Sequence, residues 1–312
     1  MIRPSHEFSR NGSSPVSRWV CEPVDEVKAG AVFVHGLGDH GERHRRHLEI
    51  FARAGVLCHA IDLPGHGRNK GPRGHFSGIH ELMEIMHEQV QDLREKLPND
   101  APVGLMGHSM GGFLTLHFLG RYPGLIDFSW ISSPLIDARR NANFFARQAA
   151  HALSALVPRF SFKSAARTEL CKRDPKMIDE TNRDRWIHRR ITARTASVLI
   201  RNAPTLQEVA KNIRSDLKLL MTHGGEDQIC PSLLSWKFFE SLPVEQKEYV
   251  LFRDSLHEPF NDIGREDVYR TIEQWLQESL ELDDLDGATH TDRPTRPHFR
   301  ERSLNKNATV AA

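Results

Sequence analysis

Ser109 lies in Gly107-His108-Ser109-Met110-Gly111, where an apolar run, Val103–Met106, turns into a helix-like segment. A strand-turn-helix of this kind lifts a hydroxyl above the end of a sheet, in a backbone so cramped that small residues must flank it. The pentapeptide alone is weak, since about one chain in ten of this length carries one by chance. Its meaning depends on what else the chain supplies. A serine hydroxyl attacks a carbonyl only when an imidazole takes its proton and a carboxylate orients that imidazole. The chemistry would then be acyl transfer.

In an α/β sheet these partners follow in the order Ser, acid, His, each just past a later strand. Leu219-Leu220-Met221-Thr222-His223-Gly224-Gly225-Glu226-Asp227 reads as a strand, a glycine turn and an acid. Asp137 and Glu226 are rival acids, and Asp227 is the choice. Tyr249-Val250-Leu251-Phe252 leads to His257, which alone among 18 histidines follows the final strand and precedes the final helix. The oxyanion formed on attack needs two backbone N–H donors, each contributing roughly 3–4 kcal/mol. Met110, after the serine, supplies one. Leu37, in the His35-Gly36-Leu37-Gly38 turn, supplies the other. His35, His40, His44 and His47 invite a metal reading, but Arg43, Arg45 and Arg46 among them would repel a cation, and no hydrolytic ligand spacing occurs. We expect no metal and no cofactor.

The elements that must position these groups read as short apolar runs alternating with amphipathic ones. Strands are expected near Arg18–Cys21, Ala31–His35, Leu57–Asp62, Val103–Gly107, Phe128–Ser132, Leu217–His223 and Glu248–Phe252. Helices are expected near Arg43–Ala54, Ile79–Leu97, Gly111–Gly120, Pro204–Asn212, Pro231–Ser241 and Arg265–Leu280. Continuous runs such as Ala31-Val32-Phe33-Val34 suit strands buried on both faces, so the sheet is mainly parallel and flanked by helices.

The alternation stops between Asp137 and Arg201, where helical patterns (Asn143–Leu156, Pro175–Asn182, Arg189–Ile200) stand without a convincing strand. This stretch holds 15 Lys/Arg against 6 Asp/Glu, in a chain whose net charge is only +1. It reads as an all-helical cap over the sheet edge where open α/β folds bind ligands. We divide the chain into a flexible N-terminal segment (1–16), an α/β core (17–136 and 202–281), the cap or lid (137–201) and a disordered polar tail (282–312). A balanced charge carries no nucleic-acid signature. No apolar run approaches the roughly 18 residues that span a bilayer. Cys21, Cys58, Cys171 and Cys230 form no C-x-x-C pair and suit free thiols. These bounds suggest a cytoplasmic protein and leave its oligomeric state open.

With these pieces in place, the chain resembles the α/β-hydrolases of the monoacylglycerol lipase and lysophospholipase branch, from about Arg18 to Leu280. The carriers are His35-Gly36-Leu37-Gly38, Asp62-Leu63-Pro64-Gly65-His66-Gly67, Gly107-His108-Ser109-Met110-Gly111-Gly112, Gly224-Gly225-Glu226-Asp227 and His257-Glu258-Pro259-Phe260-Asn261, together with Arg73-Gly74-His75-Phe76. The resemblance implies the α/β-hydrolase fold with its cap inserted after the sixth strand, the one at Phe128–Ser132. It implies Ser109 as nucleophile, Asp227 as acid, His257 as base, and Leu37 and Met110 as amide donors. It also implies a polar network of Asp39, Arg43 and His66 near the alcohol pocket, with Cys230 close to the site. We expect a serine hydrolase acting on single-chain lipid esters, with an esterase, lactonase or aminopeptidase of small soluble substrates as the rival reading. A non-catalytic binding protein is the remote one. Phe144, Phe145, Leu153, Leu156, Trp186 and Ile187 should line an acyl tunnel. Arg139, Arg140, Lys172, Arg173, Arg189 and Arg190 read either as a basic cap face that meets a membrane peripherally or an acidic head group, or as solvated helix faces.

Overall fold

The computed structural model describes residues 3–9, 16–141, 143–164, 166–280 and 298–303. Its strands are β1 (Arg3–Phe8), β2 (Ser17–Glu22), β3 (Ala29–Val34), β4 (Val56–Ile61), β5 (Val103–His108), β6 (Phe128–Ser132), β7 (Ser161–Lys163), β8 (Arg190–Thr192), β9 (Lys218–Gly224), β10 (Gln246–Phe252) and β11 (His298–Arg302). Nine of them form one sheet in the order β1-β2-β4-β3-β5-β6-β9-β10-β11. From β4 to β11 every pairing is parallel, and β1 and β2 run antiparallel at one edge.

Every residue of β3, β4, β5 and β6 is buried, as continuous apolar runs require of strands covered on both faces. Alternate side chains feed two cores. Ala31, Phe33, Met106 and Trp130 pack with helices α1 (Arg45–Arg53) and, at the end of the core, Arg265–Leu280. Val32, Val34 and Leu105 pack on the other face with α2 (Ile79–Arg94) and α3 (Met110–Arg121). The chain leaves β3 toward β4 on one side and returns to β5 on the other, so the switch point lies between β3 and β5. Ligands of open α/β sheets bind at that crevice, and here the turns after β3 and β5 carry Leu37 and Ser109.

The close crossing of α3 over β3 depends on Gly111, where an added Cβ would lie 2.0 Å from the Val34 carbonyl oxygen. Backbone cannot rotate out of the way as a side chain could. Gly111→Ala should therefore destabilise the fold by about 2–3 kcal/mol, the upper range for overpacking. Urea denaturation measures it, and a loss under about 0.5 kcal/mol would show that the crossing relaxes freely.

Between β6 and β9 lie α4 (Phe144–Leu156), α5 (Thr168–Cys171), α6 (Pro175–Arg183) and α7 (Ala193–Asn202). The stretch is not all-helical. β7 and β8 pair antiparallel within it, Ser161 opposite Thr192, and α7 begins only at Ala193, capped by Thr192. Three-residue strands carry too little alternation to register in a sequence. The remaining helices are α8 (Leu206–Ala210), α9 (Ser232–Glu240) and α10 (Arg265–Leu280).

Part of each expected loose end forms a strand, while residues 1–2 and 10–15 of the first fall outside the described residues. Arg3–Phe8 pairs along β2, and Glu7 there forms an ion pair 2.6 Å long with Arg18, a guanidinium buried to 2% exposure. Burying that charge requires partners, which Glu7 and Asp92 provide. At the opposite edge β11 lies along β10, with Arg253 paired to Glu301 and Phe299 stacked near Tyr249. The rest of the expected tail, 282–297 and 304–312, falls outside the described residues.

Candidate active site

β5 ends at His108, and Ser109 turns the chain with φ 55° and ψ −116°, a left-handed conformation costly for a residue with a Cβ. The surroundings hold it there. Its N–H donates to the Ser132 carbonyl at 3.0 Å, and its own carbonyl accepts from Phe113 and Leu135 at 3.1 and 3.0 Å. The hydroxyl is thus presented over the sheet edge by strand β6 on one side and α3 on the other.

Past β9, Gly224 and Gly225 let the acid turn lie directly on the loop after β10: a Cβ at Gly224 would sit 1.9 Å from the Leu256 carbonyl oxygen. The two loops are stitched by Gly225 N–H to Phe252 and Glu226 N–H to Ser255. This close approach sets Asp227 Oδ2 2.7 Å from His257 Nδ1, while His257 Nε2 lies 2.9 Å from Ser109 Oγ. Three side chains from three strand ends therefore form one hydrogen-bonded chain, with Asp227 and His257 buried and Ser109 half-buried.

Asp227 receives two further sets of donors. Its Oδ1 accepts the Ile229 and Cys230 amides at 2.8 and 2.9 Å, and its Oδ2 also accepts from His223 Nε2 at 3.1 Å. His223 is held in turn by Ser235, which meets Tyr249 at 2.8 Å. Burial alone would raise the Asp227 pKa. The imidazole of His257 and the hydrogen bonds from His223 and His257 outweigh it, so the carboxyl stays far below the carboxylate range. At His257 burial works against the charged form, and the Asp227 carboxylate more than offsets it, raising the pKa above its ordinary value. Sequence reasoning did not find His223. The signal was a histidine four residues before the acid, at the last inward-facing positions of a buried strand.

A second buried constellation flanks the first. Arg43 donates to Asp39 at 2.8 Å and to Glu258, and Lys172 Nζ lies 2.7 Å from Glu258 and 2.9 Å from Thr181 Oγ1. His44 lies 2.9 Å from Asp39 through Nε2. Burial would raise both carboxyls, but the cations facing them hold Asp39 and Glu258 well below their usual range. Lys172 is 1% exposed on its side chain, so it is not part of a basic cap surface. Arg173 and Arg139 do reach the cap surface but are paired there, Arg173 with Glu226 at 2.5 Å and Arg139 with Asp137 through two hydrogen bonds. The rival acids Asp137 and Glu226 are thereby committed elsewhere.

Above Ser109 opens a cavity of about 630 Å³, within the roughly 300–1,000 Å³ usual for small-molecule sites. Leu37, Met110, Asp39, Arg43, Cys230 and His257 border it from the core. The Gly36–Gly38 turn lies against the serine, since a methyl at Gly36 would be 3.3 Å from Ser109 Cβ. From the cap come Leu153, Ile187, Leu199 and Ile200, and the small face of α4, Ala146, Ala149 and Ala150.

Phe144 and Phe145, expected in the tunnel, are 57% and 80% exposed instead, and Leu156 is exposed as well. The helix is turned so that its alanines face the cavity and its aromatic residues face outward. Trp186 borders a neighbouring cavity beneath Arg185, 4.8 Å away. His66 is buried between the rings of His35 and His188, at 5.1 and 5.0 Å, and does not border the serine's cavity. Burial and those two imidazoles hold its pKa well below the ordinary value, so it is a neutral packing group. Burial likewise pushes the Cys230 thiol up.

Among the described residues, no helix is long and apolar enough to cross a membrane. The model of the family described as serine aminopeptidase, S33 (Hydrolase_4) matches residues 25–264. The chain is 25% identical over 279 residues to a monoacylglycerol lipase of Mycolicibacterium smegmatis, covering 89% of this chain and 98% of that protein. It is 26% identical over 259 residues to an uncharacterized abhydrolase domain-containing protein of Dictyostelium discoideum, of which it spans 27%. The crystal structure of Paleococcus ferrophilus monoacylglycerol lipase matches with a TM-score of 0.77 at 28% identity, covering 85% of this chain and 99% of that one. With 240 residues of strand, turn and helix accounted for by one family model, the chain belongs to the serine aminopeptidase, S33 family of α/β-hydrolases and is a serine hydrolase of the monoacylglycerol lipase-like branch.

Proposed function

We propose that the protein hydrolyses the ester of a single-chain lipid, a monoacylglycerol or a lysophospholipid, through an acyl-enzyme on Ser109. The observation that carries this is the Ser109–His257–Asp227 hydrogen-bonded chain at the floor of a mainly apolar cavity. Ser109 Oγ attacks the ester carbonyl carbon while His257 Nε2 takes its proton. The Leu37 and Met110 amides hold the oxyanion. As the tetrahedral intermediate collapses, the bond to the alcohol breaks and His257 returns the proton to it. Water then attacks the acyl-enzyme by the same route and releases the fatty acid. The cap residues 137–201 act as the lid that keeps the acyl chain from bulk water.

The family's description also names aminopeptidase chemistry, which needs a free carboxylate to hold a substrate ammonium. Asp39 and Glu258 are the carboxylates beside the nucleophile, and Arg43 and Lys172 already neutralise them. That disfavours a substrate ammonium and fits the lipid ester. Profiling acyl esters should show a preference for chains of eight carbons or more over two, and the opposite order would favour a small soluble substrate.

Phe144, Phe145, Leu156, Val157, Phe160 and Phe162 are all exposed along one stretch of the cap, with Arg140, Arg159 and Arg189 exposed nearby. Phe162 also borders the cavity, which joins this patch to the acyl site. An apolar patch rimmed by cations suits peripheral docking on an anionic membrane. Activity on anionic relative to neutral vesicles should fall as salt rises from about 10 to 500 mM, because exposed charges are screened. A ratio independent of salt would leave the apolar contact and remove the electrostatic one.

A further inference from the structure

Beside the acyl cavity lies a second cavity of about 370 Å³, formed where α6 and the Asp184–Trp186 segment of the cap face the start of α1. The two share a wall of Arg43, Lys172 and Thr181. On the catalytic side that wall is electrically balanced by Asp39 and Glu258. On the far side it is not. Beyond Arg43 and Lys172, five arginines border the second cavity against three carboxylates, and one of the five, Arg183, is paired with Asp179 outside that lining.

The pairing shows which charges are spent. Arg46 is bound to Glu180 and Arg68 to Glu42, so two of the three carboxylates are taken. The third, Asp184, meets His40 at 2.7 Å. Burial works against a charge on His40, but the hydrogen bond with Asp184 and the nearby Asp39 raise its pKa. Arg45 and Arg185 have no carboxylate partner among the described residues. Arg185 lies over the Trp186 ring at 4.8 Å, a ring Arg68 also approaches at 5.4 Å. A guanidinium stacked on an indole is oriented while its N–H donors stay unused. Two guanidiniums without a carboxylate partner, one of them oriented on Trp186, match a phosphate, which offers three acceptor oxygens and close to two negative charges, better than a single carboxylate.

The position adds chemistry to the charge. Acyl chain and apolar cap face one another in the first cavity, so the leaving alcohol must lie toward the polar wall where Arg43, Lys172 and Glu258 stand. We propose that the second cavity is an anion site for a phosphate monoester, filled by the phosphate of a monoacylglycerol phosphate on its alcohol side or by the same group free in solution. This rests on the ester-hydrolase reading for the first source and not for the second.

The test uses the whole chain and the double variant Arg45→Ala/Arg185→Ala, both residues being exposed and outside the cores. Glycerol 3-phosphate and inorganic phosphate binding would be measured by calorimetry at low salt. The kcat/KM ratio of a monoacylglycerol phosphate to the matching monoacylglycerol would be measured beside it. We expect wild type to bind both anions, and the substitutions to lower the ratio by roughly tenfold or more, as lost charged hydrogen bonds require. Anion binding lost in the variant with an unchanged ratio would keep the site and assign it to free phosphate. Hydrolysis of neither substrate, with phosphate still bound, would remove the lipid-ester reading and leave the anion site. Absence of millimolar binding together with an equal ratio in both proteins would overturn the proposal.

Discussion

Replacing Ser109 by alanine is expected to lower kcat on any ester substrate by about six orders of magnitude, the loss seen when a triad nucleophile is removed from another serine hydrolase. The protein should still fold. Ser109 owes its position to backbone bonds from its N–H and carbonyl, and neither uses the hydroxyl. Alanine meets the same left-handed φ of 55° with the same Cβ, so the strain is unchanged. Removing the hydroxyl breaks its 2.9 Å hydrogen bond with His257 Nε2, a nitrogen that faces the cavity and can turn to water. Thermal unfolding should therefore differ little between the two proteins while turnover disappears. A fluorophosphonate probe should label wild type and fail on Ser109→Ala. Retention of even one per cent of wild-type kcat in the variant would mean that a different group attacks the ester. Labelling of the variant at another serine would locate it.

Why some of this was legible in the chain and some was not has physical causes. Strands β3 to β6 are covered on both faces, so burial erases alternation and leaves apolar runs such as Ala31–Val34 that stand out unaided. The close approach of two loops left Gly224-Gly225 in front of Asp227, and the strained turn at Ser109 left glycines on either side. Pairings across the chain leave no such mark. Arg3–Phe8 and His298–Arg302 are polar segments that become strands because an edge and an ion partner await them. Lys172 counts as one more cap charge until Glu258, 86 residues later, is found against it. Phe144 and Phe145 follow the same helical period whether their face turns inward or out, and period alone does not choose. On α4 the alanines won the cavity, because only small side chains leave it room.

Asp227→Asn should lower kcat by about four orders, the scale found for a wrong imidazole tautomer in a serine protease. The structure says which tautomer the variant adopts. Oδ1 of Asp227 receives two backbone amides, from Ile229 and Cys230, that cannot change character. The asparagine oxygen must take that side. Its NH2 group then faces His257 and His223, where the carboxylate formerly accepted from both. His257 can meet an NH2 only by presenting a bare Nδ1, which puts its proton on Nε2. An Nε2–H donates toward Ser109 and cannot take the serine proton. The same change alters the pH profile. In the proposed mechanism His257 acts as base only when neutral, and Asp227 raises its pKa, so kcat/KM should fall with acid along a limb placed above the ordinary histidine value of about 6.5. In the variant burial still opposes the charged form and the carboxylate no longer offsets it, so the residual activity should persist to lower pH. A limb that stays in place would show that Asp227 does not set the charge of His257. An activity above about one tenth of wild type would show that the imidazole keeps its tautomer without a carboxylate, held by some other acceptor.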